Sequence, residues 1–146
     1  MRWTPLIGLL VCVPAVALQL ELSRPELCEL STHVVLGEVT DVETRWTRDG
    51  LVERTAHLAV SRVVKGHAVD GLDIHLPGGT IGDFTVRVED VPNLLTNGEY
   101  LLFLGADPGG ELVVFGGDQG AVRITPANSL KGETRAAALS SVEVCR

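Results

Sequence analysis

Four histidines, three cysteines, a tryptophan set among arginines and two glycine clusters are the groups in this chain whose types and spacing invite chemistry. His33, His57, His67 and His75 raise metal binding first. A zinc site needs three or four ligands held by supporting hydrogen bonds, and the chain contains neither H-E-x-x-H nor H-x-H. The histidines are therefore read as surface or half-buried, and no metal ligand is assigned. His57 and His75 do fall on the polar face of two adjacent strand candidates, where they are possible cross-strand neighbours. Pro77-Gly78-Gly79 and Gly116-Gly117-Asp118-Gln119-Gly120 have the backbone freedom to cradle an anion. A phosphate loop wants G-x-x-x-x-G-K-[ST] between a strand and a helix, and neither cluster leads into a helical pattern. Turn geometry accounts for these glycines. There is no G-x-S-x-G, and Glu38, Asp41 and Glu43 belong to an acidic surface in which no general-acid pair stands out. No catalytic residue and no cofactor is assigned, and the chain is expected not to be an enzyme.

The remaining candidate is an interaction site. Trp46 lies between Arg45 and Arg48 beside Arg48-Asp49-Gly50, a strong hairpin-turn signal. A rigid aromatic flanked by arginines is the composition of an interface anchor. Two blander readings stand beside it: the ring folds back over the end of the core, or it stacks with Arg54 across the hairpin as a cation–π pair.

The strands that must position these residues are legible. His33–Trp46 is a long β-rich run with Gly37 inside it, which signals a bulge or bend. The return run Leu51–Val64 places Val52, Ala56, Leu58, Val60 and Val64 on one parity. Leu72–Leu76, Phe84–Val88, Tyr100–Leu104, Leu112–Phe115 and Ala121–Ile124 follow, separated by turn residues. Phe84, Val86 and Val88 are expected to point inward, and Tyr100–Leu104 is apolar enough for burial on both faces. Ser23-Arg24-Pro25-Glu26 reads as a helix start with a capping box, giving a short helix over Pro25–Ser31. Glu133–Leu139 has helix propensity but also suits an extended tail. Six or seven short strands with one or two terminal helices make a small closed or half-closed barrel.

Composition agrees with a single mainly β domain. Of 146 residues, 45% are hydrophobic and 21% charged, enough apolar content for a core. The net charge of −7 argues against electrostatic binding of nucleic acid or anionic lipid. Residues 1–17 read as a secretory signal peptide: Arg2, an apolar run from Leu6 to Val13, Pro14, then Ala15-Val16-Ala17 as the cleavage pattern. Cleavage after Ala17 leaves residues 18–146 as one exported domain, secreted or periplasmic, with no membrane span. It also leaves eleven basic against nineteen acidic residues, or −8. Cys28 and Cys145 remain, and two cysteines in an exported chain most simply form a disulfide.

Three segments, in order, resemble those of a known family. They are Cys28-Glu29-Leu30-Ser31-Thr32-His33-Val34-Val35-Leu36-Gly37-Glu38-Val39, Val60-Ser61-Arg62-Val63-Val64-Lys65-Gly66 and Asn97-Gly98-Glu99-Tyr100-Leu101-Leu102-Phe103. The pattern is similar to that of bacterial exported domains of the netrin and tissue-inhibitor-of-metalloproteinases type, over residues 28–104. The resemblance implies an OB-like barrel of five strands with flanking helices. In the inhibitors, an N-terminal cysteine clamps the zinc of the protease through its amine and carbonyl. Here the expected mature start is Leu18-Gln19-Leu20-Glu21, so that mechanism finds no residue. The expectation is an exported non-enzymatic interaction module using Arg45, Trp46 and Arg48, with an exported protein or protease as partner. The alternative is a protease inhibitor acting by loop insertion, and a hydrolase ranks below both.

Overall fold

The computed structural model describes residues 21–67, 69–126, 129 and 132–146. The expected leader at residues 1–17 and the expected mature start at Leu18 lie outside the described residues. Helix α1 (Arg24–Leu30) begins where its capping signals stand. The Glu26 carboxylate accepts hydrogen bonds from the Ser23 backbone N–H and the Ser23 hydroxyl, both at 2.7 Å. Pro25 sits in the first turn, where its missing N–H costs nothing. At the other end, Lys65 Nζ donates to the carbonyls of Cys28 (2.6 Å) and Glu29 (3.2 Å). These are C-terminal carbonyls with no partner inside the helix, and the cation also meets the negative end of the helix dipole.

The strands are β1 (His33–Trp46), β2 (Val52–Lys65), β3 (Gly71–Pro77), β4 (Gly79–Ile81), β5 (Phe84–Val86), β6 (Glu99–Ala106), β7 (Leu112–Val114) and β8 (Ala121–Arg123). The principal sheet runs β1-β2-β3-β7-β6-β8 and closes through an added β1–β6 pairing. The closed part is an OB-like barrel of five strands, antiparallel except where His75 of β3 meets Val113 of β7 in parallel. β8 continues along the β6 edge that β7 leaves free.

β4 and β5 form a separate two-stranded ribbon outside the ring. This corrects the inward placement of Phe84, Val86 and Val88. Phe84 and Val88 are exposed, and Val86 is only half-buried. The three-residue β5 pairs with β4 alone and takes no part in the barrel wall, so its side-chain alternation does not point into the core.

Two apolar clusters result. Val35, Val39, Ala56, Leu58, Ile74, Leu76, Tyr100, Leu102 and Leu104 fill the barrel. Val34, Leu36, Leu101 and Phe103 face the other way, against Leu27 and Cys28 of α1 and Ala138 and Val142 of the C-terminal segment. That segment is helical: α2 (Arg135–Ser141) starts at Thr134, whose hydroxyl accepts from the Ala137 N–H, and a turn of 3-10 helix over Glu143–Cys145 follows. It returns the chain to α1, with the Cα atoms of Cys28 and Cys145 5.1 Å apart and their sulfurs within bonding distance. That Cα separation is one a disulfide spans, in agreement with the expected pairing.

Gly37 sits at one of three register shifts between β1 and β2. A Cβ there would come within 2.5 Å of the Ala59 carbonyl oxygen and 2.9 Å of Leu58 Cγ. Gly37→Ala should therefore destabilise the barrel by about 1–3 kcal/mol, measured by denaturant unfolding. Alkylation of the purified protein under denaturing, non-reducing conditions should label neither Cys28 nor Cys145. Reduction should then lower stability by up to roughly 4–5 kcal/mol, the chain-entropy limit for so long a loop.

Candidate functional site

Beyond Glu38, β1 no longer pairs with β6, and its distal half continues with β2 as a hairpin. The turn is closed tightly. Thr47 N–H donates to Leu51 O (2.7 Å), Gly50 N–H to Thr47 O (3.0 Å), and Leu51 N–H to Thr47 Oγ1 (3.0 Å). Gly50 has φ 76°, the left-handed conformation that such a turn demands and that glycine adopts without strain. Because side chains alternate along a strand, the hairpin carries two different surfaces.

One surface is apolar. Trp46, Leu51, Val52, Pro77, Gly78, Phe84, Val86 and Val88 line an open groove of about 330 Å³. Its large side chains are the exposed ones: Trp46 50%, Leu51 66%, Phe84 52% and Val88 44%. The Trp46 and Phe84 rings lie 5.2 Å apart, tilted by 32°. Trp46 therefore neither folds into the core nor stacks on Arg54. Arg54 instead donates to Gly78 O (3.2 Å) and Asn93 Oδ1 (3.1 Å), and its burial depresses the guanidinium's pKa. The three interaction residues expected from sequence stand together at the tip: Arg45, Trp46 and Arg48 line a polar depression with Thr47, Asp49, Glu53 and Glu111, and Trp46 also lines the apolar groove. Arg45 is bound to Glu53 at 3.1 Å, and Arg48 enters no ion pair among the described residues. Phe84, Val86, Val88 and Leu51 were missed as site residues. The signal was present in two apolar runs bordering turns, but a strand pattern alone does not say which sheet it joins.

The other surface is a field of carboxylates around two imidazoles. Asp41 stands opposite His57 on β2, His57 opposite Asp73 on β3, and His75 opposite Thr55. His57 and His75 thus share a face, as expected, but sit diagonally and engage different partners. His57 Nδ1 is 2.6 Å from Asp73 Oδ1, and its Nε2 is 3.9 Å from Glu43 Oε2. His75 Nδ1 is 3.0 Å from Glu53 Oε1 and 3.5 Å from Glu111 Oε2. Two groups of metal-ligand type emerge: Asp41, Glu43 and His57, and Glu53, His75 and Glu111. Their members come from two or three segments each, so no sequence spacing announces them.

The electrostatics of the two groups differ. The hydrogen bond that His57 donates to Asp73 raises the His57 pKa; burial opposes it, and the charges of Asp73, Glu43 and Asp41 add to the upward shift. For Glu53, burial favours the neutral acid, but hydrogen bonds from His75 and Arg45 outweigh it and the carboxyl titrates below its ordinary range. No protein-family model matches this chain, and comparison with curated proteins finds no match.

An NMR titration of the imidazole resonances should place His57 above the ordinary histidine value, and Asp73→Asn should bring it back down. The linkage has a definite sign. A raised folded-state pKa contributes stability that is fully present below the unfolded value of about 6.5 and is lost as pH rises through the folded pKa.

Proposed function

We propose that this protein is an exported, non-enzymatic interaction module on a netrin/metalloproteinase-inhibitor-like barrel. It captures a partner protein through the hairpin tip. The observation that carries the reading is the contiguous exposure of Trp46, Leu51, Phe84 and Val88 around one groove. Large apolar side chains gathered in this way are uncommon on a surface with no partner, and a tryptophan seated on a second aromatic is a pre-ordered anchor. The partner is an exported protein offering an apolar side chain beside a carboxylate. The carboxylate is matched by Arg48, the cation at the tip that no acidic side chain of the chain holds among the described residues. The remaining surface, on an acidic chain, would repel such a partner in other orientations. Loop insertion into a protease cleft is the weaker reading, because three hydrogen bonds already close the turn backbone on itself.

Trp46→Ala separates binding from folding. Losing the contact with Phe84 should cost at most about 1.5 kcal/mol of stability. Capture of the partner from the organism's own secretome should weaken by about 30-fold or more, the mark of an anchor residue. Unchanged capture by a folded Trp46→Ala protein would remove the tip from consideration.

A further inference from the structure

The histidine-bearing face of the hairpin is separate from the apolar groove, and its two clusters are not equivalent. In the group of Glu53, His75 and Glu111, the guanidinium of Arg45 already lies 3.1 Å from the Glu53 oxygen that also meets His75. With His75 protonated, two cations balance two carboxylates there. The group around His57 has no arginine or lysine in an ion pair with it among the described residues. Asp41, Glu43 and Asp73 surround a single imidazole, so the group keeps a surplus of negative charge even when His57 is protonated.

The orientation of that imidazole matters more than the charge. Asp73 accepts a hydrogen bond from Nδ1–H at 2.6 Å, which leaves Nε2 with the free lone pair of the neutral ring. A carboxylate bonded to the far nitrogen is the arrangement that fixes tautomer and ring angle in histidines that ligate metals. Nε2 faces Glu43 Oε2 at 3.9 Å, and the ligand atoms of Asp41, Glu43 and His57 all lie within 4.8 Å of one another. Ligands about 2.0–2.2 Å from a tetrahedral ion stand roughly 3.3–3.6 Å apart. Glu43 and Asp41 are exposed and free to close that difference by side-chain rotation, while His57 stays fixed by Asp73.

We propose that Asp41, Glu43 and His57 bind a divalent d-block cation of the zinc type, with Asp73 as the positioning residue for the imidazole. One nitrogen and two carboxylate oxygens select such an ion over calcium or magnesium, which prefer all-oxygen shells. Three protein ligands leave a fourth position for water or for a donor from a partner. Binding displaces a proton from Nε2 only in the fraction of molecules whose His57 is charged, and no electron transfer is involved.

The test is calorimetric titration of the untagged exported protein with zinc chloride, alongside imidazole NMR. One equivalent should bind, and the His57 ring resonances should shift while those of His75 do not. His57→Ala should abolish binding. Asp73→Asn, which keeps all three ligands, should weaken it about 10–100-fold, the usual effect of removing a group that orients a ligand. His75→Ala should leave it unchanged, and calcium should produce neither heat nor shift. Zinc binding that survives His57→Ala, shifts confined to His75, or no binding at excess zinc would each overturn the assignment. Circular dichroism of every variant guards against reading a folding defect as lost binding.

Discussion

The pairing of β1 with β6, from His33 opposite Leu104 to Glu38 opposite Glu99, is the contact on which the other parts depend. It turns a sheet into a ring and thereby removes its open edges. β6 pays for this position with apolar side chains in both directions. Tyr100, Leu102 and Leu104 enter the barrel, while Leu101 and Phe103 form the floor on which α1 and the C-terminal segment rest. The helices cover one side of the ring because that strand leaves an apolar surface there which water would otherwise meet.

Two short sequence motifs around this ring have identifiable physical roles. Lys65 of Val63-Val64-Lys65-Gly66 satisfies the last carbonyls of α1, and so ties the end of β2 to the helix. Tyr100 of Gly98-Glu99-Tyr100 donates toward Asn93 O and accepts from the Leu95 N–H, which pins the loop before β6. Gly98 is needed in that corner because a Cβ would lie 2.6 Å from the Tyr100 ring. These residues hold elements together, and their presence speaks for architecture rather than for activity.

The exposed apolar groove and the histidine–carboxylate clusters lie where the ring ends. Once β1 leaves β6, its side chains no longer face a barrel interior on one side and helices on the other. The β1/β2 register shifts between Leu36 and Gly37 and between Val39 and Asp41 let the strand bend out of the ring. From there, alternation alone divides the hairpin into an apolar surface bearing Trp46 and a charged one bearing Asp41, Glu43 and Arg45. The β4–β5 ribbon then packs against the hairpin, with Gly79 close to Thr44 and Arg54 side chains, and adds Phe84 to the apolar groove.

Local patterning by itself determined the two long strands, the bend at Gly37, the Asp49-Gly50 turn, the double-sided burial of Tyr100–Leu104 and the capped helix at Ser23. Each rests on contacts or conformations within a few residues, so the order of residue types is enough to specify it. The tertiary structure alone decided which strands closed the ring, that Phe84 and Val88 stayed outside it, and that residues 135–141 became helix rather than extended tail. It also placed Trp46 on the border between an apolar groove and a polar depression, and gathered Asp41, Glu43, His57 and Asp73 into one cluster. Those outcomes depend on register between strands distant in the chain. A one-residue slip in pairing would move every one of these side chains to the opposite face, and no local preference encodes that choice.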